Sequence, residues 1–229
     1  MALHAGARGN LTLRACARAL AVGLAALALV APRASRGESG TLELTPEKTR
    51  IQFDLDATLH TVTGSLRMLR AAPLRFDAAS GNAEGEIALD ARSAETGNSR
   101  RDRTLKDDVL ECERYPEIVF TAERIELART APDRGEAVLS GRVRIHGDEH
   151  PLRIPAHLER DGDAIRVSAV FRVPYVEWGM KDVSNLVLRV GKEVDVRVDA
   201  TASYEPDAPS GSGLAPSAAR TAWTGGRLP

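Results

Sequence analysis

The chain has 229 residues, 28% of them charged, and its 31 basic and 32 acidic side chains leave a formal net charge of −1. That length suffices for one barrel or sandwich domain with a real core, or for two small domains. The balanced charge and the lack of a basic stripe among aromatic residues exclude a typical nucleic-acid-binding protein, so no nucleic-acid partner is expected.

The N-terminal residues 1–34 have the layout of a secretory signal peptide. Three arginines, Arg8, Arg14 and Arg18, precede an apolar run over 20–30. That run is short for a transmembrane helix, so we expect no membrane span after cleavage and a mildly acidic, periplasmic or secreted protein. An uncleaved N-terminal anchor is the alternative.

The two cysteines predict neither a lipid anchor nor an internal disulfide. Cys16 precedes the apolar run, whereas the cysteine of a lipoprotein would follow it, so no lipid anchor is expected. Cys112 is then the single cysteine of the processed chain, and no internal disulfide can form.

Apolar and polar residues alternate from residue 50 to residue 204, as in strands with one buried face. The alternating segments are 50–56, 60–66, 74–77, 84–92, 118–122, 139–145, 152–158, 165–173 and 194–202, with an edge strand at 41–44. Strands of this kind form antiparallel sheets, and about eight of them predict a barrel or a sandwich. Hairpin turns are predicted at Gly81 with Asn82, at 161–163 and at Gly191 with Lys192, and a bend or bulge at Gly64.

The domain organisation follows from this pattern. Residues 41–204 are predicted to form one all-β domain. The Pro-, Ser-, Gly- and Ala-rich residues 205–229 are predicted to be a disordered tail.

One helical segment, within residues 96–120, interrupts the strands. Asn98 or Ser99 suits its N-cap, and Asp102 is well placed for its first turn. Tyr115, which precedes a proline, is predicted to end it.

The helical segment has one narrow apolar stripe. Leu105, Val109 and Cys112 recur at helical spacing among charged residues. Such a stripe can cover the open end of a barrel but cannot be buried all round. The segment therefore predicts a lid over a binding cavity.

Several motifs together resemble one protein family. They are the runs 59–64, 90–93 and 96–98, the pair Arg101 and Asp102 with Leu105, the run 115–118 with Phe120, and the runs 145–152 and 173–179. On these residues the chain resembles the YceI-like family of exported, lipocalin-like proteins associated with binding polyisoprenoid lipids. The resemblance spans about residues 41–204.

This resemblance implies an elongated eight-stranded antiparallel β-barrel with one helix near the opening. It implies an apolar interior that holds an isoprenoid lipid or quinone-like ligand, and it implies a homodimer, since members are often dimeric. The chain departs from the family where Val109, Leu110 and Glu111 replace an aromatic pair, and where acidic residues flank Leu55. These departures bear on the identity of the ligand more than on the fold.

Candidate ligand-binding residues follow from the inner faces and the lid. They are Phe53, Leu55, His60, Ile87, Leu89, Leu105, Val109, Phe120, Ile145, Ile154, Phe171, Tyr175 and Trp178. Trp178 either lines the cavity or packs in the core. His60 either donates to a ligand head group or is a histidine at the barrel rim.

Other polar groups have a structural and a functional interpretation. His146 and His150 could suggest a metal site, but residues 146–150 have the pattern of a tight hairpin turn, so no metal is expected. The basic residues at the helix start either meet an anionic head group or form a solvated face. Arg101 and Asp102 are interpreted as a structural pair that fixes the helix on the barrel.

The sequence has no hydrolase elbow, phosphate loop or dinucleotide motif. We therefore expect a binding protein with no catalytic residue and no cofactor. One alternative is a barrel enzyme with His60 as acid or base, assisted by Tyr175 or Asp148. Another is an interaction module whose core is filled.

Overall fold

A computed structural model describes residues 39–58, 60–184 and 189–207. Signal segment 1–34 and most of the proposed tail lie outside the described residues. The strands are β1 (Gly40–Glu43), β2 (Thr49–Asp56), β3 (Thr61–Ala71), β4 (Leu74–Asp77), β5 (Asn82–Glu95), β6 (Glu117–Ala131), β7 (Arg134–Ile145), β8 (Asp148–Asp161), β9 (Ala164–Val173) and β10 (Val194–Pro206). A 3₁₀ turn (Pro46–Lys48) precedes β2, and the helix α1 (Ser99–Thr104) runs into a π-helical stretch (Leu105–Val109).

Eight of the strands close a barrel. Their order is β5-β3-β2-β10-β9-β8-β7-β6, and β6 pairs back with β5. Each of these pairings is antiparallel. The predicted eight-stranded antiparallel barrel is therefore confirmed, and the sandwich is excluded because the sheet closes on itself.

Two short strands complete one end of the barrel. β10 pairs with β2 as far as Ala200 and then, from Ser203, with β1. β1 also pairs with β4, and β4 with the start of β5. The predicted edge strand is therefore hydrogen-bonded on both sides. β10 also extends to Pro206, two residues into the proposed tail.

The prediction at Gly64 was wrong. Gly64 lies in regular pairing opposite Phe53, and the irregular registers of β3 fall between Ser65 and Arg67 and between Met68 and Arg70. A Cβ at Gly64 would lie 2.1 Å from Cζ of Phe53. The glycine is thus a space for an aromatic ring rather than a bend.

The predicted hairpin at Gly191 and Lys192 was also wrong. β9 ends at Val173 and β10 begins only at Val194, so a long connection separates them. This connection is tied to β2, because the backbone N–H of Gly191 donates to the carbonyl of Asp56 at 2.7 Å. The turns at Gly81 and at 161–163 are as predicted.

The helical segment is shorter than predicted. Regular helix ends at Val109, not at Tyr115, because Glu111 takes a left-handed conformation with φ 46°. The N–H of Leu110 donates to the carbonyl of Leu105, the wider spacing of a π turn. Residues 112–114 form a turn that leads into β6.

Candidate functional site

The strand register decides which side chains face the inside of the barrel. Directly opposed residues in an antiparallel pair point to the same side of the sheet. Phe171 lies opposite Val196, which lies opposite Phe53, and Phe120 lies opposite Val143. The inner face is therefore the apolar face of the alternating pattern.

Many of these inward side chains are only half-buried. They include Leu55, Leu66, Ile87, Leu89, Ile118, Leu139, Ile154, Leu158, Ile165, Phe171, Val194 and Val196. The exposed surface of an inward side chain in a closed barrel faces the space inside. We call that space the lumen. Its walls are apolar, and the partial exposure of these side chains indicates that they do not fill it completely.

Packed clusters lie toward both ends of the barrel. The far cluster includes Leu42, Leu74, Phe76 and Tyr204 and reaches Phe120. The helix-end cluster joins the lid residues Val109, Leu110 and Cys112 to Ile145, Val173, Tyr175 and Met180. Both clusters are packed against the half-buried Ile118, Phe171 and Trp178.

The helical segment is tied to the barrel through Thr96. The carboxylate of Asp102 accepts hydrogen bonds from the backbone N–H and the hydroxyl of Thr96. Arg101 donates to the same hydroxyl at 2.7 Å and to the carbonyl of Thr96 at 2.9 Å. Asn98 is the N-cap, since its side-chain oxygen accepts from the backbone N–H groups of Arg100 and Arg101.

These bonds alter the ionisation of Asp102. The hydrogen bond from the Thr96 hydroxyl is the main cause that lowers the pKa of Asp102, and Lys106 and Arg101 lower it further. Arg101 and Asp102 are thus a structural pair, as predicted. They act through Thr96, which the sequence interpretation had not assigned.

A histidine lies on the inner face among apolar side chains. His150 on β8 lies opposite Val143 on β7, and its ring is stacked on that of Trp178, with centroids 4.5 Å apart and planes 4° apart. Nε2 of His150 is buried and has no hydrogen-bond partner among the described residues. Trp178 itself is half-buried between the two clusters.

Comparison with known proteins adds the family. The sequence model of the YceI-like domain matches residues 42–202, which is most of the chain. The chain belongs to the YceI-like family. None of the curated proteins is similar enough to this YceI-like chain to count as a match.

Solved structures show the same fold. BcnA from Burkholderia cenocepacia is 16% identical, with a TM-score of 0.59 over 70% of this chain and 100% of BcnA. A polyisoprenoid binding domain from Saccharophagus degradans, implicated in plant cell wall breakdown, is 17% identical, with a TM-score of 0.54 over 73% and 99%. A YceI protein from Campylobacter jejuni is 17% identical, with a TM-score of 0.50 over 66% and 88%.

Within this YceI-like barrel the predicted site residues fall into three groups. Leu55, Ile87, Leu89, Ile154 and Phe171 are half-buried on the inner face, and Leu105 and Trp178 are half-buried at the helix end. Phe53, Val109, Phe120, Ile145 and Tyr175 are buried within the packed barrel. His60 is exposed on the turn between β2 and β3.

Sequence reasoning left out other inward residues. Leu66, Leu139, Leu158, Ile165 and Val196 are half-buried on the inner face. Their alternation with polar neighbours was a sufficient signal for all but Leu66, which the supposed bend at Gly64 obscured. In the sequence His150 is a candidate only for a metal ligand, and no local pattern shows that it meets Trp178.

The residues of the enzyme alternative are not brought together. The hydroxyl of Tyr175 donates to the carbonyl of Gly191 at 2.9 Å, and burial raises the pKa of Tyr175. His60 and Asp148 are exposed. Within residues 39–58, 60–184 and 189–207, no hydrogen bond or ion pair links these three side chains.

The two histidines of the 146–150 segment have different partners. His146 lies at the hairpin turn, with its ring against Tyr115 at 5.1 Å. Its Nε2 is 3.1 Å from Oε1 of Glu111 but is not aligned for a hydrogen bond. Among the described residues, no three His, Cys, Asp or Glu side chains are grouped to hold a metal ion.

Two further observations concern the described part of the chain. Cys112 is buried in the helix-end cluster, and burial raises the pKa of its thiol. None of the helices in the described ranges is long and apolar enough to cross a membrane.

Proposed function

We propose that this protein is an exported binding protein whose lumen holds a long apolar isoprenoid-type lipid or a quinone-like molecule. Its role would be transport, storage or protection under stress. The half-buried apolar side chains on the inner face carry the proposal, because they offer an apolar wall that side chains do not fill.

The energetics favour a long chain over a small ligand. Each CH₂ group removed from water contributes about 0.8 kcal/mol, so the five carbons of one isoprene unit contribute roughly 4 kcal/mol before the cost of ordering them. Several units in the lumen would offset the entropy lost on binding. The similar domain from Saccharophagus degradans, described as polyisoprenoid-binding, supports the same ligand class.

Export is proposed from the N-terminal signal pattern, which places the processed protein in the periplasm or outside the cell. A homodimer is proposed from the family resemblance. Both proposals are independent of the lumen.

Native mass spectrometry of protein purified without detergent tests the binding proposal. We expect a bound lipid, or uptake of the C20 alcohol geranylgeraniol by delipidated protein. Ile154→Trp should reduce the bound fraction at least about tenfold, because the larger ring occupies the lumen.

The matched control is Arg153→Trp, on the outer face of the same strand, where the side chain is exposed. It should leave the bound fraction unchanged. Protein that is empty after purification and takes up no prenyl lipid would refute the proposal and favour the filled interaction module.

A further inference from the structure

His150 stands apart from the other side chains of the inner face. It lies opposite the buried Val143, in the helix-end half of β8. The next positions on the same face toward the middle of the barrel are the apolar Leu152 and Ile154, and the preceding one is Asp148, which is exposed at the end of the strand. A hydrogen-bonding ring is thus placed where the apolar wall begins.

The ring of His150 has a defined orientation. Parallel stacking on Trp178, 4.5 Å away, fixes the plane of the imidazole. Within that plane, Nε2 is buried and without a hydrogen-bond partner among the described residues. Burying a polar atom without a partner costs free energy, and a ligand that supplies the partner recovers it.

Charge near His150 indicates what kind of ligand group fits. The basic residues Arg142, Arg144 and Arg153 on β7 and β8 are exposed and alternate with the inward positions. A diphosphate placed beside Nε2 would lose its hydration without gaining a cation from these strands. A neutral oxygen loses much less hydration.

Building on the proposed function, we propose that His150 and Trp178 form a head-group site for an isoprenoid ligand with a neutral oxygen, a hydroxyl or a carbonyl. A hydroxyl can pair with Nε2 whether that atom donates or accepts, whereas a carbonyl pairs with it when it carries the proton. The apolar tail then lies along the half-buried inner face.

Four probes with C20 chains test the site. They are geranylgeraniol, the quinone menaquinone-4, geranylgeranyl diphosphate and the hydrocarbon phytane. Binding is followed by the emission of Trp178 in a Trp223→Phe background, which removes the second tryptophan. We expect the alcohol, the quinone or both to bind more tightly than the diphosphate and the hydrocarbon.

His150→Phe keeps a stacked ring and removes both nitrogens. It should weaken binding of the preferred oxygen-bearing probe by about tenfold and change phytane binding less than about twofold. It should also raise the Tm of the empty protein, because an unpaired buried polar atom is gone. His150→Gln, which retains a hydrogen-bonding group, should restore part of the affinity.

His157→Phe is the matched control, since His157 lies on the exposed outer face of the same strand. It should change none of the affinities. Unchanged oxygen-probe binding in folded His150→Phe, or tighter binding of the diphosphate than of the neutral probes, would overturn the head-group site. Loss of binding to all four probes by the unmodified protein would instead refute the proposed function.

Discussion

At the scale of single residues, the turn between β7 and β8 shows how local strain and packing combine. His146 and Gly147 both have positive φ, 53° and 92°, as a two-residue hairpin turn requires. A Cβ at Gly147 would also lie 2.6 Å from Cε1 of Tyr115. The glycine is therefore needed for both its conformation and its lack of a side chain.

We expect Gly147→Ala to lower the free energy of unfolding by about 2–4 kcal/mol, from the left-handed conformation and the displaced Tyr115 ring. Gly162→Ala is the control, since Gly162 has φ 64° but no atom within 4 Å of the added Cβ. It should cost about 1–2 kcal/mol. Chemical denaturation measures both, and equal losses would show that Tyr115 yields without cost.

At the scale of elements, the helical segment is too short to be stable alone. Six α-helical residues and one π-helical stretch would not persist in water without tertiary contacts. Local hydrogen bonds to Thr96, which directly follows β5, hold its start, and the packing of Val109, Leu110 and Cys112 in the helix-end cluster supplies tertiary contacts at its end. The segment is therefore held at both of its ends.

Replacing Thr96 by valine keeps the side-chain shape but removes the hydroxyl shared by Asp102 and Arg101. We expect a loss of about 1–3 kcal/mol in the free energy of unfolding, because two half-buried charged groups lose a partner. Hydrogen exchange should speed up most at the amides of residues 99–110, as the lid opens more often.

The control is Thr63→Val. The hydroxyl of Thr63 also donates to a carboxylate, that of Asp54, but on an exposed surface. It should change stability by less than about 0.5 kcal/mol. If Thr96→Val left hydrogen exchange at residues 99–110 unchanged, the Thr96 hydroxyl would not be what holds the start of the helical segment.

At the scale of the whole molecule, the folded state favours the charged form of several carboxyl groups. Hydrogen bonds lower the pKa of Asp77, Asp102 and Asp182, mainly from Ala79, Thr96 and Ser184, respectively. The hydrogen bond from Arg70 is the main cause that lowers the pKa of Glu117, which receives two contacts of 3.0 Å from that guanidinium. These groups lie at separate places around the barrel.

A carboxyl group whose folded pKa is below its unfolded pKa stabilises the protein above the unfolded value, and that stability is lost as the pH falls through the folded value. The ordinary values are 3.8 for Asp and 4.5 for Glu. We therefore expect the Tm to be nearly constant above about pH 6 and to fall steadily below about pH 4.5. Calorimetry over this range measures it.

Removing individual carboxylates should reduce the acid dependence. Glu117→Gln and Asp102→Asn should each lower the Tm near neutral pH and flatten its fall in acid. Glu113→Gln, at an exposed position where the described residues show no hydrogen bond or ion pair, should leave the profile unchanged. A Tm that is independent of pH between 3 and 6 would contradict this expectation.

The sequence was sufficient to predict which residues point into the barrel, but it was not sufficient to predict how individual side chains pack there. Alternation predicted that Phe171 and Ile154 point inward, because the side-chain period of a strand is fixed at two. It misjudged Gly64, since a glycine that makes room for a ring and a glycine at a bulge are identical in sequence. The ring of Phe53 that uses this space lies on another strand.

The two histidines considered for a ligand head group show the same difference between what the sequence predicts and what the tertiary structure decides. The position of His60, in a short polar stretch after a strand, makes it a candidate to bind a ligand head group, yet it is exposed. His150 belongs to an equally ordinary polar run, but its partner Trp178 is 28 positions away in the chain. Only the pairing of β8 with β9 and the turn of residues 174–178 after β9 bring these rings together.

The sequence by itself determined the N-cap and the apolar stripe of the helical segment. It also determined the family to which the chain belongs. The N-cap and the stripe depend on residues one or two helical turns apart. At that spacing the geometry of the helix determines which residues are in contact. Tertiary structure decided which residues pack against the end of the helical segment and which inward side chains stay half-buried. Closing the barrel sets these distances, because it joins residues that are far apart in the chain.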